Sequence, residues 1–188
     1  MCGMKRLVGA VAVIGMLALS GCVPEQVIPT LPPTPTDGPL FASEEEALAA
    51  ATAAYEAYLA VSGQVSADGG EHPERIEDVA VRDLLASSLE GFETLRKNGW
   101  RTTGQSRVAR SILQFADLAV SAGPDVVAAY ICVDVSDVDV LDSDGRSVVS
   151  AERPDLQVFE VSFDANDSGH VIPATRSAWN EVGVCGAA

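Results

Sequence analysis

The chain has 188 residues, 47% of them hydrophobic, and carries 27 acidic against 12 basic side chains, a formal net charge of −15. That length suits a single domain with its own apolar core. So acidic a surface excludes the basic footprint that nucleic-acid phosphates require, and it disfavours a protein lying flat on anionic lipid.

The first segment reads MCGMKRLVGAVAVIGMLALSGC. Lys5 and Arg6 form a short positive region, and Leu7 to Leu19 form an uncharged apolar run of 13 residues. A permanent membrane span needs about 20, so this pattern reads as a targeting segment, residues 1–21. Its end, Leu19-Ser20-Gly21-Cys22, resembles the bacterial lipobox. The resemblance implies that Cys22 is acylated on sulfur and becomes the first residue after cleavage. Each buried CH₂ of an acyl chain adds about 0.8 kcal/mol of membrane affinity, so a diacylated Cys22 would hold the protein on the extracytoplasmic face of the cell membrane. The alternative is a secreted protein in which this cysteine is incidental. Cleavage would remove two basic residues, Lys5 and Arg6, and no acid, taking the net charge from −15 to −17.

Residues 22–42 follow as a linker. Six prolines fall within residues 23–39, VPEQVIPTLPPTPTDGP. Proline lacks the amide donor and fixes φ, which excludes a helix or central strand. An extended spacer of this kind reaches about 50 Å at ~3.1 Å per residue, enough to hold a domain clear of a membrane.

The domain is predicted over 43–188. Ser43 with Glu46 makes a capping box, and Glu44 to Glu46 suit the positive end of a helix dipole. Leu48, Ala51, Thr52, Tyr55 and Leu59 recur at helical spacing, and Gly63 is the expected stop. After a Gly-rich acidic loop, Pro73 opens a short helix reaching about Val79. A longer helix spans about Val81 to Asn98, with Leu84, Leu85, Ser88, Leu89, Phe92 and Leu95 on one face and Gly99 ending it.

From Trp100 the pattern changes to strands. WRTTGQSRVARSILQFADLAV is rich in β-formers. DVVAAYICVDV is an almost unbroken apolar run, as in a strand covered on both faces. The stretch DVSDVDVLDSDG, 134–145, packs five aspartates into twelve residues. A calcium loop aligned on Gly145 places Asp142 and Asp144 at ligand positions, but Val140 and Ala151 fall on the first and twelfth and cannot ligate. The favoured reading is therefore a solvated hairpin. Val133 and Val135 share one parity, Val138 and Val140 the other, so a β-bulge is expected near Ser136-Asp137. Asp144-Gly145 suggests a type I′ turn, with Ser147 to Val149 returning as partner strand. LQVFEVSF alternates, with Phe159, Val161 and Phe163 inward. Asp167-Ser168-Gly169 forms a turn, and a last strand lies within 170–185, broken around Pro173.

Helices followed by about four antiparallel strands predict an α+β fold with the helices on one face of a curved sheet. This element order resembles the nuclear transport factor 2-like superfamily, a cystatin-like cone that also carries ketosteroid isomerases and polyketide cyclases. The segment YICVDVSDVDVLDSDGRSV, with its late cysteine, resembles lipoproteins of that fold from high-GC Gram-positive bacteria. The likeness covers about residues 43–186 and implies a cavity between helices and sheet.

With Cys2 removed and Cys22 acylated, Cys132 and Cys185 remain, and outside the cytoplasm two thiols most simply pair. Free thiols or a metal pair are the alternatives, though no histidine or third cysteine supports a metal.

Polar side chains that the cone would turn inward are Tyr55, Asp117, Tyr130 and His170. Isomerases of the resembling fold set a buried carboxylate base against a hydrogen-bond donor, and Asp117 with Tyr55 could imitate that pair. The plain reading leaves Tyr55 packed and Asp117 in water. His72 and His170, the only histidines, lie in no zinc-binding spacing. There is no nucleophile elbow, P-loop or Rossmann glycine pattern, so no catalytic residue, metal or cofactor is assigned. The expected role is a lipid-anchored, non-catalytic module that binds an envelope protein or small ligand. The alternative is an isomerase or cyclase working in the cone cavity.

Overall fold

The computed structural model describes residues 38–180 and 183–186. The targeting segment, Cys22 and most of the proline-rich linker lie outside these residues. The packed body starts earlier than position 43, because Phe41 is only 4% exposed and the Leu40 amide donates to the Val120 carbonyl at 2.7 Å.

Helix α1 spans Glu44–Ala67. The Ser43 hydroxyl accepts from the Glu46 amide at 3.2 Å. Glu46 completes the cap one residue further back than a regular capping box, its carboxylate accepting from the Ala42 amide at 2.8 Å. The helix runs one turn past Gly63. A glycine inside a helix costs about 1 kcal/mol against alanine. The extra turn offsets this by fully burying Val65. The true stop is Gly69-Gly70, both at positive φ, where the Gly70 amide reaches the Val65 carbonyl at 2.8 Å. A Cβ at Gly70 would overlap the Phe92 carbonyl, so the two helices approach through that glycine.

A 3₁₀ turn over Pro73–Asp78 buries Ile76 completely. Helix α2, Arg82–Asn98, turns Leu84, Ser88 and Phe92 inward. It ends at Gly99 (φ 65°), where the Trp100 amide caps the Leu95 carbonyl at 2.9 Å.

Strands β1 (Arg101–Thr103), β2 (Arg107–Ala116), β3 (Gly123–Asp134), β4 (Asp139–Leu141), β5 (Leu156–Ala165) and β6 (Val171–Ala178) follow. β2, β3, β5 and β6 form a four-stranded antiparallel sheet in the order β2-β3-β5-β6, while β1 and β4 form a separate pair. The helices pack on one face of the larger sheet, an α+β architecture. Register opposes Val127 to Phe163, Ala129 to Val161 and Ile131 to Phe159. All of these except Phe159 are fully buried beneath the helices, so this alternate set is the inner face.

Four local expectations change. The aspartate segment has no bulge at Ser136-Asp137; β3 stops at Asp134 and the chain turns into another sheet, with the Val138 amide bonded to the Val135 carbonyl at 3.0 Å. The change of parity is absorbed by changing sheets. The turn at Asp144-Gly145 is not type I′, since Gly145 has φ 78° but Asp144 is not at positive φ. Asp142 and Arg146 instead bracket a three-residue loop with its left-handed residue last. The return after it is a single bridge, Leu141 to Ser147, not a strand. Finally, β6 continues as one strand through Pro173, which an edge strand tolerates, and the expected break is only a shift of its register with β5, Phe163 opposing Pro173 and Ser162 opposing Thr175; the Pro173 carbonyl takes the Val81 amide at 3.1 Å.

Cys132 and Cys185 are joined by a disulfide, their Cα atoms 5.8 Å apart and 53 residues apart in sequence. Cys132 has the opposite parity to Ile131, so the bond ties the C-terminal segment to the sheet's outer face. Among the described residues, no helix is long and apolar enough to cross a membrane.

Candidate functional site

The space between helices and sheet is filled. Tyr55, Ile76, Leu84, Val127, Ile131 and Phe163 are each at most 1% exposed and interdigitate there. Two tyrosines one turn apart on α1 bring polar atoms into this core, with ring centroids 5.4 Å apart. The Tyr58 hydroxyl bonds Ser88 Oγ at 3.1 Å, and Ser88 Oγ donates to the Leu84 carbonyl at 2.7 Å. The Tyr55 hydroxyl is buried without a hydrogen-bond partner. Burial pushes its pKa up to about 12, against the opposing pull of the Arg176 charge. At neutral pH it is therefore a neutral phenol, able to donate a hydrogen bond but not to act as a base.

Arg176 lies opposite Val161 on β6, on the inner-face parity. Its guanidinium carbon stands 4.8 Å from the Phe159 ring centroid and 5.9 Å from that of Tyr58. An arginine in that position gains cation–π attraction while its outer side stays wet. It makes no ion pair among the described residues.

Open volume lies on the flank of α1. Two concavities, of about 460 and 550 Å³, share Glu56 and Val108 and so form one groove between α1 and β2. Leu48 and Leu59 are half-buried in its helical wall, and Ala49, Ala53 and Ala60 are exposed there. The opposite wall is the unbroken run 104–111. Side chains alternate along a strand, so a wall made of consecutive residues is the strand's edge and not one of its faces. β2 is an edge strand.

The aspartates of 134–145 are tied into local bonds. Asp134 Oδ1 accepts from the Ser136 amide and hydroxyl, and Asp142 Oδ1 from the amides of Asp144 and Arg146. Arg107 bridges Asp137 at 2.9 Å and Asp134 at 3.4 Å. The Ser136 hydroxyl holds Asp134, and the Arg146 amide holds Asp142, below the usual carboxylate range. Among the described residues, no group of three or more His, Cys, Asp or Glu is placed to hold a metal ion. Among the described residues, every carboxylate that is displaced from its ordinary range is displaced downward. Such groups are fixed as anions, the opposite of the raised pKa of a general acid.

No protein-family model matches the chain, and no curated protein does. Among solved structures, a de novo designed β-sheet protein determined by solution NMR matches at 12% identity, covering 71% of this chain and 90% of that one, with a TM-score of 0.33. At that score the match carries no argument about fold or function.

The four polar residues singled out from sequence do not converge. Tyr55 is in the inner core. Tyr130, opposite Glu160, faces the outer side, its ring 4.8 Å from that of Trp179. Asp117 sits in the β2–β3 connection, accepting from the Ala119 amide at 2.9 Å. His170 is exposed in the β5–β6 turn, where its backbone amide donates to Asn166 Oδ1. Sequence reading overlooked Arg176 and the groove. Arg176 has the parity opposite to Val171, so plain alternation would turn it outward, but the register shift opposite Ser162-Phe163 moves it to the inner face, and nothing local signals that shift. The exposed Ala49, Ala53 and Ala60 recur at near-helical spacing and were the available sign of a second apolar stripe on α1.

Proposed function

We propose that the protein is a lipid-anchored, extracytoplasmic lipoprotein that acts as a non-catalytic binding module at the cell envelope, tethered through Cys22. The lipobox-like Leu19-Ser20-Gly21-Cys22 supports the anchor, and the proline-rich linker supports a domain held off the membrane. The Cys132–Cys185 disulfide supports an oxidising compartment, since such bonds persist chiefly outside the cytoplasm. The order of helices and strands supports kinship with the nuclear transport factor 2-like cone.

The observation that carries the binding reading over the isomerase or cyclase reading is the filled interior. A cavity enzyme of that kind needs an open pocket and an acid or base tuned toward neutrality. Here the corresponding space holds Tyr55, Ile131 and Phe163, while the open groove lies outside it. Partners of this module are the membrane, through the anchor, and an envelope protein or small ligand; nucleic acid is excluded by charge.

Membrane fractionation of cells expressing the full chain tests the anchor. Wild type is expected in the membrane fraction and Cys22→Ala in the soluble or secreted fraction. Undiminished membrane retention of Cys22→Ala would overturn the assignment.

A further inference from the structure

We propose that the first turn of α2 is a strained clasp over the interior, poised to open off the sheet while the rest of the domain stays folded. The proposal goes beyond the binding-module reading and holds whether or not the domain is lipid-anchored.

Three observations carry it. First, Arg82, at the start of α2, and Asp125, in β3, are both held in the left-handed region at φ 51°. A residue with a Cβ persists there only where its surroundings over-determine it, and such residues gather at clamps and switches. A turn serving structure alone would be better made with glycine, which adopts that φ without cost. Second, side chains join the two strained residues. Arg82 Nη1 donates to Asp125 Oδ1 at 3.0 Å and to Asp164 Oδ1 at 2.9 Å. The same Asp164 oxygen accepts from the Asp125 amide at 2.9 Å. One nitrogen thus ties α2 to strands 43 and 82 residues further along the chain. Asp125 sits where β3 loses regular register with β5, between Gly123 and Val127. Third, the clasp lies directly over the core. Leu84 follows Arg82 by two positions, Val126 and Val127 follow Asp125, and Ala165 follows Asp164; all four are buried.

The balance of terms gives the direction. The Arg82 and Asp125 side chains are 41% and 56% exposed, so their ion pair is screened by water and salt. An exposed pair contributes less than a strained residue costs. Opening the turn lets both strained residues relax. It gives up the two ion pairs, the bond from the Val81 amide to the Pro173 carbonyl, and the burial of Leu84. Beyond that turn α2 stays fastened by the Tyr58–Ser88 link and by buried Phe92. The open form therefore uncovers apolar surface at Leu84, Val126 and Val127 without unfolding the sheet.

Amide hydrogen exchange of the purified full chain in detergent tests the clasp. The Val81, Leu85 and Asp125 amides, each bonded across the turn, are expected to exchange at least about tenfold faster than Ile131 at the sheet centre. Arg82→Ala removes both ion pairs and keeps the strained backbone; it is expected to speed exchange at Val81 and Leu85 at least about tenfold more and to leave Ile131 in place. Arg82→Gly loses the same ion pairs but not the backbone fit, and is expected to exchange about fivefold more slowly than Arg82→Ala. Asp164→Asn, which keeps an acceptor for the Asp125 amide, is expected to act like Arg82→Ala at Val81 and Leu85. Raising the salt concentration to about 1 M is expected to speed these amides in wild type and not in Arg82→Ala. Hydroxyl-radical footprinting of the Leu84 and Val127 side chains is expected to rise at least about threefold in Arg82→Ala. The proposal is overturned if the clasp amides exchange only with Ile131, if Arg82→Ala leaves them unchanged, if the alanine and glycine variants exchange alike, or if Leu84 and Val127 stay shielded in Arg82→Ala. None of these readouts involves Cys22, so failure here leaves the anchor to be judged by fractionation alone.

Discussion

The hydroxyl of Tyr58 on α1 and that of Ser88 on α2 lie 3.1 Å apart and form a buried polar link between the helices. Their losses are unequal. Ser88 also donates to the Leu84 carbonyl at 2.7 Å, so Tyr58→Phe leaves no orphaned group, whereas Ser88→Ala strands the Tyr58 hydroxyl at 3% exposure. Tyr58→Phe is expected to cost about 1 kcal/mol and Ser88→Ala about 2 kcal/mol, the desolvated orphan being the larger penalty. Urea unfolding of both variants checks the order; Tyr58→Phe proving the costlier would refute the geometry.

The Cys132–Cys185 bond closes a loop with a sequence separation of 53 residues. In the chain-entropy model, reduction destabilises by about 4 kcal/mol. Thiol titration of the folded protein is expected to find neither sulfur free, and the urea midpoint is expected to fall when reductant is added. An unchanged midpoint would show that the staple contributes nothing.

Two glycines should respond with opposite signs. Gly104 has φ +75° and sits where a Cβ would overlap the Asp137 carbonyl. Gly63 lies inside α1, and a methyl group added there would meet nothing within 4 Å. Gly104→Ala is expected to destabilise by more than about 1 kcal/mol, and Gly63→Ala to stabilise by about 0.5–1 kcal/mol. Melting temperatures of the two variants decide; a stable Gly104→Ala protein would mean that β1 and the 135–138 turn do not meet as described.

Tyr55 predicts an alkaline limit to stability. Its folded pKa is raised from 10.0 to about 12 by burial, so the folded state resists losing this proton. The contribution is complete below pH 10, where both states are protonated, and is lost progressively as pH rises from 10 to about 12. The loss amounts to about 3 kcal/mol. Stability measured across that window, with tyrosinate absorbance as a second readout, is expected to fall for wild type and to fall less for Tyr55→Phe. Equal slopes would place the hydroxyl in water.

Much of the fold was legible because its signals are local. Ser43 and Gly99 bound helices through caps made within a few residues, the 3.6-residue recurrence of Leu84, Ser88 and Phe92 marks a buried face, and the alternation of Val161 and Phe163 marks a half-covered strand. Local signals also misled where two candidates competed. Gly63 looked like a stop until Gly69-Gly70 offered a better one with Val65 buried between them. The valine parity around Ser136 correctly required a discontinuity, but a bulge and a change of sheet leave the same trace in sequence. The candidate site was the least legible part. Tyr55 and Tyr130 are both aromatic residues in apolar runs, yet α1 buries Tyr55 in the core while the register of β3 turns Tyr130 to the outer face of the sheet.

By itself, then, the amino-acid order determined which segments are helix or strand and how strongly the chain is charged. Periodicity, capping and composition act over a few residues, so they can be read in one dimension. Only the tertiary structure decided that the interior is full, that Arg176 turns over Phe159 and Tyr58, and that the edge strand β2 stands beside exposed alanines of α1. Those outcomes depend on strand order and register between segments far apart in the chain, where small shifts in pairing exchange one face for the other.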